Sequence, residues 1–590
     1  MSPDNYWTRK LNRRGVLAGT AAAGVGAAAL VAVGCGGDDS SGSKPSATQA
    51  ATSPAGSATT GPKISDQVKI TNGQEKWVGK TPVKGGTLRQ SYNTDPVTWD
   101  PHETTSIYTH LRTAMFNQPV LAYRFGAQYG TADVTPSPGL VSKWEQLDPT
   151  TVNLTVDPAA NWTARAPLNG RKVTSSDLKF SLNRILTLPA PYAALYSLID
   201  KMETPSDSTL TLKLKQPYAP LFNYLSHYYA QVVAPEVVEK FKDLKSVESA
   251  KALGNGPFEL DNWQPSTSIT FKRRENYWRQ GQPYLDGVSL RYQKDSNAVL
   301  ASVRAGELDT FGLDLDNKDS VISARKDVMV GESISCVSWL ITARSDNAPT
   351  SDERIRQAVA MAIDRKGWLE SIYKGKGTID NGPIQAVWSD WRVPPEQLGD
   401  GSKYYNYNVS EAKKLLSAAG INNLTVNFKF TAAYGASIAA HTELLKDMLS
   451  KVGITLNVDI MEYGAFVGAV MTSKPTYDSL SYVGVRFMGD PDEMLWDMYH
   501  PTGAKNFAKI NDSQLSSLLE KQRQTLDPKA RKQVVDDIQK YLAVKQYYIY
   551  TPSFEQVDGW LPSVANYRNH VSYDTGDIFR EVWIDPSLKS

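Results

Sequence analysis

The segment SYVGVRFMGDPDEMLWDMYHPTG, residues 481–503, brings Arg486, Phe487, Asp490 and Trp496 close together in the chain. A guanidinium presents planar donors that fit a carboxylate or a phosphate, and a phenyl ring offers a stacking or apolar wall. More rings stand at Trp388, Trp391 and Tyr499, in segments that also hold Gly and Pro. With 29 Tyr and 14 Trp the chain is rich in flat side chains with a polar edge, which stack on ligands at small entropic cost. These residue types suit binding.

Residues for covalent or acid–base chemistry are present, but not at the spacings that make a site. No G-x-S-x-G elbow occurs, since GASIA at Gly435 and GESIS at Gly331 lack the final glycine. GQEKWVGKT, from Gly73 to Thr81, has five residues between its glycines where a phosphate-cradling loop has four. His102, His110, His227, His441, His500 and His570 form no H-E-x-x-H or related ligand set, although His102-Glu103 and His110 are near one another. Asp490 and Asp492 are two acids among 62 and carry no sugar-binding frame of their own. The expectation is a protein without catalysis, metal or cofactor.

The elements that would carry such a site are mixed. Val152, Leu154 and Val156 alternate with polar residues in TVNLTVDP, as do Leu210, Leu212 and Leu214 in TLTLKLKQP, which predicts half-buried strands. TSSDLKFSLNRIL, from Thr174, begins with residues that cap helices. In LTVNFKF, Leu424, Val426, Phe428 and Phe430 share one face. A helical stripe of Leu444, Leu445, Met448, Leu449 and Val452 follows, then the alternating ITLNVDIME. Strand, helix and strand of these lengths predict a βαβ unit, with Gly453 at the helix's C-terminal turn. Asp527 and Pro528 mark the start of a late helix. At 590 residues, three or four domains of about 150 residues fit.

Lys plus Arg number 64 against 62 Asp plus Glu, and no run of like charge suggests a nucleic-acid groove. RKLNRRGVLAGTAAAGVGAAALVAVGC, residues 9–35, has a basic start, the pair Arg13-Arg14, an Ala/Gly/Val stretch and then Cys35. That order is an export signal with a twin-arginine character. AVGC resembles a lipobox, so Cys35 is expected to carry the lipid and become the mature N-terminus. Residues 36–63 contain no Val, Ile, Leu, Met or aromatic residue and read as a tether roughly 30 Å end to end. Cys336 is left without a disulfide partner and reads as a small buried hydrophobe beside Val337 and Trp339.

Five stretches, in order, resemble one family. They are GGTLRQSYNTDPVTWDPH, the run from PGLVSKWEQLDP to VTSSDLKFSLNRI, GNGPFELDNWQPSTSITFKRRENYWRQGQPYLDGVSLRY, DERIRQAVAMAIDRKGWLESIYKGKGTIDNGPI and YNVSEAKKLLSAAG. The family is that of extracytoplasmic solute-binding proteins of ATP-driven importers, in the peptide/nickel-type group called family 5.

The resemblance implies an α/β, two-lobed periplasmic-binding-protein-like fold (type II, cluster C), with mixed sheets covered by helices and an extra small domain. On that plan residues 1–34 are the export signal and 35–79 the lipidated Cys and tether. Residues 80–118, 253–335 and 548–590 form lobe I, 119–252 the small domain and 336–547 lobe II. It implies a monomer that closes by hinge motion on a peptide or other small molecule. Its partners would be an ABC permease with its ATPase subunits, and the membrane through the lipid anchor, at the outer face of the cytoplasmic membrane or in the periplasm. The implied ligand set is Tyr92, Trp388, Trp391, Tyr434, Tyr482, Arg486, Phe487, Asp490 and Trp496.

In peptide-binding members an aspartate shortly before the D/E-P pair holds the peptide's amino terminus. Aligned without gaps on GDPDEML, that position is Phe487, beside Arg486. A buried ammonium without its partner costs about 3–5 kcal/mol, so capture of a free amino terminus is in doubt unless Asp490 takes over. Two other readings use the same frame: an exported hydrolase, and a sensor or chaperone that delivers its ligand elsewhere.

Overall fold

Alternating strands and amphipathic helices assemble, among the described residues, into three large sheets and two two-stranded ones, and each large sheet accounts for a part of the sequence pattern. The computed structural model describes residues 74–588, apart from 105, 131, 189–191, 314–317, 380, 435, 473, 487–488, 569 and 572–574; the side chains of 75 and 434–438 are also left undescribed. Arg13, Arg14, Cys35, the tether, Phe487 and the Tyr434 side chain therefore lie outside the described residues.

The first lobe is built on an eight-stranded sheet. Its order is Met329–Ile334, Ser553–Trp560, Thr310–Leu313, Thr87–Tyr92, Gly287–Tyr292, Ser268–Arg273 and Phe258–Gln264, with Gly377–Thr378 pairing onto Ser553–Trp560. The second lobe has five strands in the order Ile454–Met461, Leu424–Thr431, Leu480–Arg486, Val337–Ala343 and Tyr548–Tyr550. Leu424–Thr431 and Ile454–Met461 run parallel around the helix Ala436–Ser450, the pairing that a strand–helix–strand pattern requires. Gly453 closes that unit at φ +85°, in the left-handed region that a helix end needs.

A four-stranded antiparallel sheet, Val141–Asp148, Thr151–Val156, Thr209–Leu214 and Ile199–Ser206, stands apart from both lobes. Its buried face is the one the alternation predicts: Val152, Leu154, Leu210 and Leu212 are fully enclosed. Ile355, Ala358, Val359, Ala362 and Ile363 likewise form the buried stripe of the helix Glu353–Ala362. Tyr548–Tyr550 pairs with Leu340–Thr342, so the second lobe's sheet runs one strand further than the expected boundary at 547.

Two short crossings join the lobes. One is Ser335-Cys336, between Met329–Ile334 and Val337–Ala343; the other is Thr551-Pro552, between Tyr548–Tyr550 and Ser553–Trp560. Cys336, which forms no disulfide, is buried there, only 1% exposed. Among the described residues no helix is long and apolar enough to cross a membrane.

The short helix Ile107–Thr113, which carries Tyr108 and Arg112, is clasped from the far end of the chain. The Thr575 hydroxyl donates to the Leu111 carbonyl, and a Cβ added at Gly576 would fall on the carbonyl of Ala114. Gly576→Ala must push this helix out of place, and overpacking of this kind costs about 1–3 kcal/mol. Urea denaturation of the variant is expected to show that loss; an unchanged midpoint would mean the clasp is soft.

Candidate functional site

The face of the first-lobe sheet that carries Tyr92 changes character from one edge to the other. On one side it is apolar, with Leu88, Val288, Leu290, Ile269 and Phe271 buried. Beyond Gln90, which bonds to Thr310 at 3.1 Å, the same face carries Trp560 and Met329 and then presents Gly312, Asp558, Gln556, Gly331 and Ser333. Gln556 and Ser333 stand opposite each other in the ladder and are buried. Neither the Gln556 amide nor the Ser333 hydroxyl has a hydrogen-bond partner among the described residues. Leaving such buried groups unmade is costly.

At the end of Thr87–Tyr92 the chain organises rings and charges. The Tyr92 hydroxyl donates to Asp95 at 3.0 Å, and the same carboxylate takes the Trp263 indole at 3.1 Å and the Ser266 amide at 2.7 Å. Burial pushes the Asp95 carboxyl up, but these donors outweigh it and hold it below the usual range. The Arg112 guanidinium lies 5.2 Å from the centre of the Tyr92 ring. Tyr108, one turn earlier on the same helix face, has its phenol pushed up by burial, while Thr94, Arg112 and Arg486 pull the other way.

Arg486 reaches this place from the second lobe. It is the last residue of Leu480–Arg486, half-buried opposite Val337, and its charge acts on Tyr108, His227, Tyr228 and Tyr229. The structure thus brings the charge of Arg486 to bear on Tyr108, whose helix neighbour Arg112 lies over the Tyr92 ring; the sequence reading did not single out Tyr108 or Arg112. The available signal was the i, i+4 spacing of a tyrosine and an arginine in IYTHLRT, where most neighbours are buried.

The other expected ligand residues are placed differently. Asp490 is the N-cap of the helix Pro491–Tyr499; its Oδ1 accepts from the Asp492 amide at 2.8 Å and its Oδ2 from Arg531 at 2.8 Å and Asn223 at 3.0 Å. With both oxygens engaged and no exposed side-chain surface, Asp490 is not an open carboxylate for a ligand ammonium. Trp496 has His500 stacked on it at 3.6 Å and the Arg523 guanidinium at 3.5 Å, so both its partners come from the protein. Trp391 lies under Arg531 at 5.2 Å, and the Trp388 indole donates to Gln385 at 3.2 Å. Tyr482 is fully buried, with its hydroxyl bonded to His441 at 3.0 Å and Thr551 at 2.9 Å. The bonds and ring contacts of these five residues are all to groups of the protein itself.

The cleft is bridged near Asp490. Besides the Asn223 bond, the Tyr224 hydroxyl donates to Asp492 at 2.8 Å, and a Cβ at Gly489 would lie 2.7 Å from the Tyr123 hydroxyl. Among the described residues no group of three or more His, Cys, Asp or Glu side chains is placed to hold a metal ion.

Two lobes joined by paired crossings, with polar side chains from both meeting between them, define the class of two-lobed periplasmic binding proteins. The chain belongs to the bacterial extracellular solute-binding proteins, family 5, whose middle region matches residues 135–506. The glutathione-binding protein GsiB of Escherichia coli O157:H7 is 25% identical over 302 residues, which cover 50% of this chain and 56% of that protein. The chain thus spans about half the length of the curated relatives it matches. Among solved structures, the periplasmic binding protein DppA from Helicobacter pylori, in complex with the peptide STSA, superposes with a TM-score of 0.71 at 19% identity, covering 85% of this chain and 98% of that one. AgaA from A.tumefacien R10, in complex with agropinic acid, gives 0.69 at 23% identity, covering 85% and 99%.

Proposed function

We propose that the protein is the lipid-anchored substrate-binding component of an ABC importer, taking a medium-sized polar or anionic solute between its lobes and delivering it to a membrane permease. The observation that carries this reading is the meeting of groups from both lobes around Tyr108: Tyr92 and Arg112 from the first, Arg486 from the second. A ligand drives closure only through its preference for the closed form, so it must touch both lobes, and this arrangement lets it do so. The family frame supports the importer role, and relatives that bind glutathione, peptide or agropinic acid support solutes that carry acidic groups. Engagement of both Asp490 oxygens argues against that residue as a substitute anchor for a peptide amino terminus.

Export through the Arg13-Arg14 leader and lipidation of Cys35 belong to the same proposal. A native mass spectrum of the protein, purified gently from cells and then denatured, tests both halves of it. A stoichiometric acidic solute and an acylated Cys35 are the expected masses. A ladder of neutral peptides would move the ligand to the peptide class, and an unmodified, unliganded chain would sink the anchor and the capture role.

Arg486→Ala is expected to weaken binding of the released solute about thirtyfold or more, as loss of one partner of a buried charge pair does. Isothermal titration reads the effect directly. Unaltered affinity would remove Arg486 from the ligand site.

A further inference from the structure

We propose that Arg112 is the anchor for an acidic group of the solute, a carboxylate or a phosphate, held in the cleft between the Tyr92 ring and Tyr108. The inference rests on the binding-protein reading above and names the chemistry of its ligand.

Arg112 is 5% exposed, and its side chain has no hydrogen-bond or ion-pair partner among the described residues, with Nε fully buried; the one specific contact of the guanidinium is the Tyr92 ring. Every other arginine buried as deeply among the described residues has at least one polar partner in the protein, although one Arg365 nitrogen is also left without a bond. Arg523, Arg531 and Arg580 face Asp492, Asp490 and Asp577, while Arg274, Arg356 and Arg365 donate to backbone carbonyls. The carboxylate that acts on Arg112 is Asp95, whose oxygens are already taken by Tyr92, Trp263 and Ser266. A buried cation left in this state is costly, and burial lowers its pKa to about 10.

The helix that holds it is fixed by Thr575 and Gly576, so the guanidinium is presented by a clamped element rather than a flexible loop. Guanidinium is the side-chain group whose planar donors match carboxylate and phosphate oxygens. Arg486, arriving from the other lobe, acts on the same Tyr108. An acidic group at Arg112 therefore lies where closure brings up a second positive charge, which couples its capture to closing.

The test is thermal unfolding of the full protein, wild type and Arg112→Met, with citrate as the carboxylate probe, inorganic phosphate as the phosphate probe and sodium chloride at matched ionic strength. One of the two anions is expected to raise the wild-type melting temperature above the chloride control, and which one does so identifies the acid class. Arg112→Met should lose that rise, with half-saturation shifted about tenfold or more, yet melt no lower than wild type when no anion is added. Arg112→Lys, which keeps the charge without the fork, should retain a weaker response. The assignment is overturned if neither anion exceeds chloride, if Arg112→Met keeps the full rise, or if it melts lower without anion, as a structural arginine would. The importer reading fails separately, by the absence of any solute in the native spectrum.

Discussion

Replacing Arg531 with alanine lowers the unfolding free energy by about 3–5 kcal/mol, because it leaves a carboxylate buried without its counter-charge. Asp490 has no exposed side-chain surface and Arg531 only 3%. Burial pushes the Asp490 carboxyl up, but the Arg531 charge and hydrogen bonds, with the Asp492 amide and Asn223, outweigh it and hold it below the usual carboxylate range. Asn223 and the capping contact remain in the variant, but neither carries charge. Urea denaturation followed by circular dichroism reads the loss, and Arg531→Lys should recover only part of it, since an ammonium cannot reproduce the two-pronged bond. A loss under 1 kcal/mol would mean that Asp490 finds another cation, and would return it to the list of groups able to meet a ligand.

Acid should destabilise this protein well before its carboxylates titrate. His102, His110 and His441 are buried against the Gln231 carbonyl, the Thr104 carbonyl and the hydroxyls of Tyr373 and Tyr482. Burial lowers their pKa values from 6.5 to about 4, about 3 and about 3. A depressed histidine is neutral in both states above pH 6.5. Below that the unfolded chain takes up protons that the folded one refuses, so stability falls with pH until the folded values are reached. Three such groups give a slope of about 4 kcal/mol per pH unit near pH 5, and a loss of about 6 kcal/mol between pH 7.5 and 5. That is a large share of the 5–15 kcal/mol typical of domains. Asp497, whose carboxyl burial pushes up, works in the opposite sense, adding stability as pH falls. Urea midpoints at pH 7.5, 6 and 5 test the sign, and His441→Gln should flatten the slope by about one proton. A midpoint constant over that range would mean the histidines gain water and charge without unfolding.

The strands around Val152 and Leu210 and the parallel unit from Leu424 were legible because each buries one face, and the period of burial is written in the residues. Tyr548–Tyr550 is buried throughout, so no alternation marks which sheet it joins. The cleft was harder to read. Residue types told what Asp490 and Trp496 could bind, but Arg531 and Arg523, which occupy them, lie 41 and 27 residues further along the chain and arrive only by helix packing. Arg112 was missed for the converse reason: an arginine in a short helix reads as a solvated or paired charge until the fold shows it buried without a partner.

The strand Ser553–Trp560 lies between Thr310–Leu313 and Met329–Ile334, so the first lobe's sheet is completed by a segment made long after the strands it joins. After Ile334 the ribosome must add roughly 220 residues before Ser553, which at 5–20 residues per second takes roughly 10 to 45 s. Throughout that interval Met329–Ile334 lacks its pairing strand and Thr310–Leu313 is paired on one side only, with Thr87–Tyr92. Vectorial synthesis thus keeps this sheet incompletely paired until Ser553–Trp560 emerges, and the same delay gives chaperones a long window in which to engage the nascent chain.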